Sequence, residues 1–508
     1  MPPVLASRRA HPHLYQINTW PWLDALSSAQ GRLAEAPCAK AGTMRLADVP
    51  DAEWDRLAAL GFDYIYLLGI WKRSIAGRRL FRTDPAAFAR FDHALPGWTV
   101  ESVVGSPFSI EDYVPDPRIG SWADVDAVRA KLHARGMRLM VDFVPNHTGP
   151  DHVWIASHPG YFLQGREEDF HRDPAAFLLI EPPGRPPLFI ARGRDPYFAP
   201  WADTAQLDYF NPATRSAMVD VLKEIGRHAD GVRCDMSMLV LNDIFARTWG
   251  PLLRGRPAPA GEFWTDAIAA LPADFLWMAE VYWGMESQLQ ALGFQYTYDK
   301  VLYDRLKGDA GGVRAHLTGD ASWHNRMARF LENHDEERSV AAYGRERIPA
   351  LMVLIATLPG LRFFHQGQFE GYSMHLPMPL NAAKPETADA GLMAEYETLL
   401  RVTHDSVFHD GDWRLLDVTP DSDDSNASLV AWRWKHSDAY RLVIVNLGSG
   451  AAQGRVWIAH EVPGRGELTL TDTLSGDAYG RSRPDLEAHG LYVRLDAHRA
   501  HLFNVTAR

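Results

Sequence analysis

Four stretches of this 508-residue sequence end an apolar run on a cluster of acids, amides and histidines. They are Met140-Val141-Asp142-Phe143-Val144-Pro145-Asn146-His147, Gly231-Val232-Arg233-Cys234-Asp235, Phe275-Leu276-Trp277-Met278-Ala279-Glu280 and Phe330-Leu331-Glu332-Asn333-His334-Asp335. Carboxylates supply nucleophilic and general acid or base chemistry when an apolar surrounding or a nearby cation sets their protonation. A β-rich stretch that stays apolar and then ends in ionisable groups is the pattern of a buried parallel strand opening into an active site. Four such ends in one chain point to one shared pocket.

Residues two apart on a strand face the same way, so Arg233 and Asp235 share a face. The guanidinium would hold the aspartate ionised, as a nucleophile requires, although the segment alone equally fits a structural ion pair. Glu280 closes a run of apolar residues, and desolvation there raises a carboxyl pKa and suits it to general acid work. A strand-end salt bridge is the plainer alternative. Together the two carboxylates make the arrangement in which nucleophile and acid flank one glycosidic bond. Asn333-His334-Asp335 adds a third acid beside a histidine, suited to sugar hydroxyls and to an oxocarbenium-like transition state, or to an ordinary charged loop with Glu336-Glu337-Arg338. Asp142, Asn146 and His147 read either as further sugar ligands or as a turn with satisfied polar groups. Cys234 reads as a small buried residue and not as a redox centre. Trp71-Lys72-Arg73 and Trp283-Gly284 stand at loop starts that either line subsites or simply pack.

The elements that must position these groups follow from periodicity. Apolar strands alternate with amphipathic helices from about residue 14 to 400. Leu14 to Asn18, Asp63 to Ile70, Arg138 to Val144, Gly231 to Met236, Phe275 to Tyr282, Phe294 to Tyr298, Met327 to His334 and Leu361 to His365 give eight strands, the number that closes a (β/α)8 TIM barrel. Helices are expected over Ala52 to Leu60, Ser121 to Arg135 and Pro212 to His228, the last opening with Asn211 as N-cap and Pro212 at the first helical position. Between His147 and about Asp203 periodicity fails, which marks a lid or small subdomain inserted after strand three. From about residue 405 short alternating strands separated by turn clusters read as a C-terminal antiparallel β-sandwich. The expected division is barrel over 1–146, insertion over 147–204, barrel again over 205–404 and β-domain over 405–508.

Composition bounds the partners. Hydrophobic residues at 46% and charged residues at 23% fit a globular enzyme, and no apolar run is long enough to span a bilayer. A formal charge of −12 without a long basic run argues against nucleic acid or anionic membrane and favours a neutral substrate. Cys38 and Cys234 sit far apart in dissimilar contexts, so no disulfide framework is expected. The N-terminal residues lack the apolar core of a secretory signal, which makes the cytoplasm the default compartment.

Jointly, the four segments resemble those of the α-amylase superfamily, glycoside hydrolase family 13, and the similarity covers nearly the whole chain. Ser106-Pro107-Phe108-Ser109-Ile110-Glu111-Asp112-Tyr113 and Gly367-Gln368-Phe369-Glu370-Gly371 look like the family's segments before strand three and after strand eight. The resemblance implies Asp235 as nucleophile, Glu280 as acid/base and Asp335 as transition-state stabiliser of a retaining α-glycoside hydrolase. It sets Asp142, His147, Arg233, His334 and the stacking ring of Phe108 around the bound glucosyl unit. Phe108 replaces the family's usual tyrosine. Met238 and Leu239 replace the lysine and histidine that amylases often carry after the nucleophile, which implies an apolar acceptor side. Ala205-Gln206-Leu207-Asp208-Tyr209 matches the insertion motif only loosely, so calcium is possible but unsupported, and no cofactor is required. Hydrolysis and α-glucosyl transfer share this donor chemistry. A non-catalytic sugar- or protein-binding member would be marked by a missing carboxylate, and none is missing. The sugar, the linkage and the oligomeric state are not encoded in these features.

Overall fold

The computed structural model describes residues 8–33, 44–462 and 466–507; Cys38 lies outside them. All eight expected strands form: β1 (His13–Asn18), β2 (Tyr64–Leu68), β3 (Arg138–Phe143), β4 (Gly231–Cys234), β5 (Leu276–Ala279), β6 (Tyr296–Tyr298), β7 (Met327–Arg329) and β8 (Leu361–His365). They pair in sequence order, every pair parallel, and β8 closes on β1. Helices outside and a layered interior leave almost no strand residue in water, which is why the strands read as continuous apolar runs.

Register places the chemistry. Arg233 on β4 is level with Asp142 on β3 and Met278 on β5, so Asp235, Val144 and Glu280 emerge together at the C-terminal end of the barrel. Gly231 permits this closeness, because a Cβ there would lie 2.8 Å from the Leu276 carbonyl oxygen. Strands β5, β6 and β7 are shorter than their apolar runs. Beyond Ala279 and Arg329 the chain leaves the ladder, and the residues that follow carry the site.

The helix signals act as read. Pro212–His228 is helical, with the Asn211 side chain accepting from the Ala213 N–H at 2.9 Å. Trp122–His133 starts from Ser121, whose N–H donates to the Asp124 carboxylate at 2.8 Å. The insertion is more ordered than its lost periodicity suggested. Gln164–Gly165, Leu188–Ala191 and Phe177–Ile180 form a three-stranded antiparallel sheet beside the helices Val153–Ser157 and Glu167–Arg172. Strands of two to four residues are too short to show alternation. Ala205–Gln206 then pairs with His147–Thr148, which fastens the insertion over the end of β3.

After residue 411 a six-stranded and a three-stranded antiparallel sheet face each other. Alternation in the six-stranded sheet serves two cores: Leu429, Ala431, Leu442 and Ile444 pack toward the three-stranded sheet, while Val430, Trp432, Trp434, Val443 and Val445 join the barrel core. Trp434 Nε1 donates to the Thr357 carbonyl at 2.6 Å across that second contact. Two short helices, Ser406–Asp410 and Arg483–His489, interrupt the expected all-strand pattern, each opened by an N-cap side chain. Among the described residues no helix is long and apolar enough to cross a membrane.

Candidate active site

The strand ends meet at a cavity of about 310 Å³ lined by Asp235, Glu280 and Asp335, by Phe108 and His147, and by Phe81, Ser106, Trp201, Asp203, Thr204 and Met236. One arginine organises the three acids. Arg233, fully buried on β4, places Nη1 2.7 Å from Asp235 Oδ1 and Nη2 2.9 Å from Glu280 Oε2 and 3.8 Å from Asp335 Oδ2. The arginine's own position is fixed by Nε donating to the Tyr298 hydroxyl at 3.3 Å and by the faces of Phe108 and Tyr298 against it.

The three carboxyls differ in protonation because their surroundings differ. Burial pushes Glu280 up to about 7 against the pull of Arg233, and the nearby Asp235 and Asp335 add to the rise. Glu280 is held by the Met236 N–H at 2.7 Å and the Tyr282 hydroxyl at 2.9 Å. Burial also raises the Asp235 carboxyl, with Arg233 opposing through charge and hydrogen bond, so the arginine offsets desolvation without reversing it. Asp335 goes the other way. Burial would raise it, but His334 and Arg233 outweigh that and hold it at about 2. Its side chain keeps 44% contact with solvent through the cavity mouth, while His334 Nε2 lies 3.0 Å from its Oδ2.

The sequence reading set five further residues around one ring, and the structure divides them. Phe108 and His147 line the cavity. Asp142, Arg233 and His334 lie behind its wall, at most 1% exposed. Asp142 has both oxygens engaged, by the Tyr66 hydroxyl and the Gly69 N–H, and its carbonyl accepts from Trp71 Nε1 at 2.9 Å. With those bonds made, Asp142 ties β2 to β3 beneath the site. His334 has Gln16 Nε2 2.7 Å from its Nδ1, which leaves the proton on Nε2 to face Asp335. Trp71 is therefore structural, as is buried Arg73, whereas Trp283 is 39% exposed.

One expectation needs correction and another is met. Met238 and Leu239 do not form an acceptor surface: the short helical turn Ser237–Val240 buries both in the core, and Met236, at φ +41°, lines the cavity in their place. The buried Cys234 thiol is pushed well up by desolvation, as an inert packing residue would be. Several contributors escaped the sequence reading. Tyr282 stands two residues beyond Glu280, a spacing that would have found it. Gln16 is an amide between the apolar Tyr15 and Ile17 of strand β1, also a visible signal. Trp201 and Asp203 come from the irregular insertion, where no period marks them; burial lifts the Asp203 carboxyl to about 6. Asp208 pairs with Arg256 at 2.7 Å, and the Asn146 amide oxygen accepts from Gln206 at 3.0 Å. Among the described residues no group of three or more histidines, cysteines or acids is placed to hold a metal.

Residues 54–250 match the family model described as alpha amylase, catalytic domain. That span holds Phe108, Asp142, His147, Arg233 and Asp235 and stops before Glu280. Among curated relatives, the alpha-amylase MalA of Haloarcula japonica is 24% identical over 322 residues, 59% of this chain and 43% of that protein. An alpha-1,4-glucan:maltose-1-phosphate maltosyltransferase of Streptomyces coelicolor is 25% identical over 483 residues, 88% of this chain and 63% of that protein. The chain spans about half the length of the curated relatives it matches. Among solved structures, the noncanonic maltogenic alpha-amylase AmyB of Thermotoga neapolitana superposes with a TM-score of 0.69 at 18% identity, covering 98% of this chain and 99% of that one, a likeness of fold.

Proposed function

We propose that this chain, which belongs to the α-amylase superfamily, glycoside hydrolase family 13, cleaves α-glucosidic bonds of small oligosaccharides with retention of configuration. The observation that carries the reading is the buried guanidinium of Arg233, 2.7 Å from Asp235 and 2.9 Å from Glu280, with Glu280 near 7 and able to give a proton while Asp335 is held at about 2. Asp235 attacks the anomeric carbon while Glu280 protonates the departing oxygen, and a glucosyl ester forms on Asp235. Glu280, now a carboxylate, takes the proton of an incoming water and the ester is hydrolysed. One guanidinium touches Asp235 and Glu280 through neighbouring nitrogens, which favours the ~5–5.5 Å spacing of retaining enzymes over the ~6.5–9.5 Å of inverting ones. Asp335, ionised and facing the cavity, offsets the positive charge that develops on the ring. Phe108 and His147 border the sugar site, Asp142 ties β2 to β3 beneath it, and His334 holds Asp335 from behind.

Glucosyl transfer at the same site is the second reading. Met236 beside Glu280 gives the acceptor side an apolar character, and relatives include proteins named as a maltosyltransferase and a cyclomaltodextrin glucanotransferase. The test is to follow maltooligosaccharide or α-glucosyl fluoride turnover by NMR. The first product should be the α-anomer, and Asp235→Asn should lower the rate by roughly 10³-fold or more, the scale on which loss of a nucleophile acts. A β-anomer as first product, or an Asp235→Asn protein of near-normal rate, would sink the mechanism.

A further inference from the structure

We propose that the C-terminal β-domain carries a second ligand site, for a small ring compound bearing a phosphate group, in a cleft where the edges of its two sheets meet. Tyr479, Arg481, Tyr492, Arg494 and His501 make the site, and no residue of the barrel lines it.

Strand order brings these pieces together. Ala478–Arg481 is the outermost strand of the six-stranded sheet, and Leu491–Leu495 is the outermost strand of the three-stranded one. Tyr479 and Arg481 stand two apart and so share a face, as do Tyr492 and Arg494. Between the two edges lies a cavity of about 200 Å³, floored by buried Leu470 and Phe503. Charged edge strands guard a sheet against pairing with other chains, but these side chains also enclose a space.

The charge of that space runs against the charge of the chain. The protein has 64 acidic and 52 basic side chains, yet two arginines, a histidine and no acid line the cavity. Arg481 has no carboxylate partner among the described residues; its Nη1 donates to the Gly480 carbonyl at 2.8 Å and its guanidinium lies 5.8 Å from the centre of the Tyr479 ring. Arg494 reaches Asp496 at 3.9 Å with both side chains more than half exposed, a pair of small energetic weight. Asp472, 2% exposed, is spent outside the cavity: it accepts the N–H groups of Leu474 and Leu502 at 3.1 and 3.3 Å and lies 2.6 Å from His501 Nδ1. The Nδ1 proton of His501 therefore points at Asp472, and Nε2 is the ring nitrogen left for a ligand.

The aromatic walls are fixed in place. Tyr492 donates its hydroxyl to Gln453 Oε1 at 2.7 Å, Tyr479 meets the Phe503 ring edge-on at 6.0 Å, and His501 stacks on the same ring at 4.8 Å. Tyr479 and Tyr492 remain 36% and 39% exposed, so their faces stay open to a ligand.

These features select the ligand. Guanidinium groups take phosphate through paired N–H donors, and two of them without a competing carboxylate favour a phosphate ester, which carries about −1.5 to −2 charges at pH 7, over a carboxylate. Tyrosine faces take the apolar face of a ring. The volume lies below the ~300 Å³ at which sites for drug-sized ligands begin, which admits one ring with its phosphate and excludes an oligosaccharide. A molecule held this way bridges both sheets and stabilises the folded domain.

The experiment is titration calorimetry on the whole chain with glucose 6-phosphate, phenyl phosphate, inorganic phosphate and glucose, with thermal unfolding read in parallel. The ring phosphates should bind roughly tenfold or more tightly than inorganic phosphate or glucose, and should raise Tm. Arg481→Ala and Arg494→Ala should each weaken that binding roughly tenfold, with Arg481→Lys recovering part of it, while their ligand-free melting curves match the native one. Asp235→Asn should bind as the native chain does, which separates this site from the barrel pocket. Binding needs no turnover, so the result stands apart from the glycosidase reading. Binding of one ring phosphate alone assigns the site to sugar phosphates or to aryl phosphates. Inorganic phosphate bound as tightly as both, no binding of either, or binding unmoved in both arginine variants overturns the proposal.

Discussion

Arg233 is the residue on which the charge balance of the site turns, and Arg233→Met isolates that role by keeping an unbranched stem while removing the cation. In the native chain its Nη1 lies 2.7 Å from Asp235, its Nη2 2.9 Å from Glu280, and its side chain is fully buried. Removing one partner of a buried ion pair typically costs ~3–5 kcal/mol, because the other charge is left without compensation. The sign of the pH dependence follows from where the proton goes. Glu280 already stands near 7, so the change falls chiefly on Asp235, whose carboxyl rises further once its cation is gone. A carboxyl raised in the folded state has its full stability below the unfolded value of ~3.9 and loses it as pH climbs toward the folded value, at about 1.4 kcal/mol per pH unit. If Asp235 stays protonated in the variant, the penalty should be larger at pH 7 than at pH 5. Urea unfolding of the variant and the native chain at both pH values measures the difference. A penalty equal at pH 5 and pH 7 would refute the charge argument and leave lost packing as the cause. Adding Asp235→Asn should remove the pH dependence of the penalty.

Other outcomes follow from the same contacts. The pH profile of kcat/KM should fall on its basic side near pH 7 as free Glu280 loses the proton it must donate, and a limb displaced by more than about one unit would count against Glu280 as the acid. Tyr282→Phe removes a donor 2.9 Å from Glu280 that favours its ionised form, so the basic limb should move up, and a downward move would contradict the contact. Gly360→Ala should destabilise the fold by more than ~1 kcal/mol in thermal unfolding, since φ is +92° and the new Cβ would meet the Met327 carbonyl oxygen at 2.1 Å. Dialysis against EDTA should leave turnover intact, because Asp208 and Asn146 already have protein partners; a loss restored by added calcium would show otherwise.

The barrel was legible because each of its strands is buried on both faces, so apolar runs such as Arg138–Phe143 and Leu361–His365 stand out without any pairing information. The ends of those runs were legible for the complementary reason: an ionisable group that closes a buried strand has a function or a partner there. What sequence could not order was depth. Asp142 and Asp335 look alike in their motifs, yet one has its carboxylate spent on Tyr66 and Gly69 while the other opens into the cavity. Nor could it find Trp201, Asp203, Tyr197 and Phe198, since strands of two to four residues carry no period and the turn at Asp195 is local. The misplaced acceptor surface had a related cause. Counting onward from Asp235 assumes the strand continues, whereas the left-handed turn at Met236 sends Met238 and Leu239 into the core.

That turn also explains how one pocket holds a fixed half and a variable half. Asp235 and Glu280 leave adjacent parallel strands whose register is locked by the Gly231–Leu276 approach and by Arg233, so their separation cannot drift without opening the barrel. Trp283, Tyr197, Phe198 and Met236 stand on turns with left-handed or locally bonded backbones, outside the ladder. A substitution in the first group alters charge compensation at the barrel end and is felt throughout the fold. One in the second group lies outside the strand ladder. The carboxylates are therefore placed by barrel register, and Met236, Trp283, Tyr197 and Phe198 by turns that the barrel does not constrain.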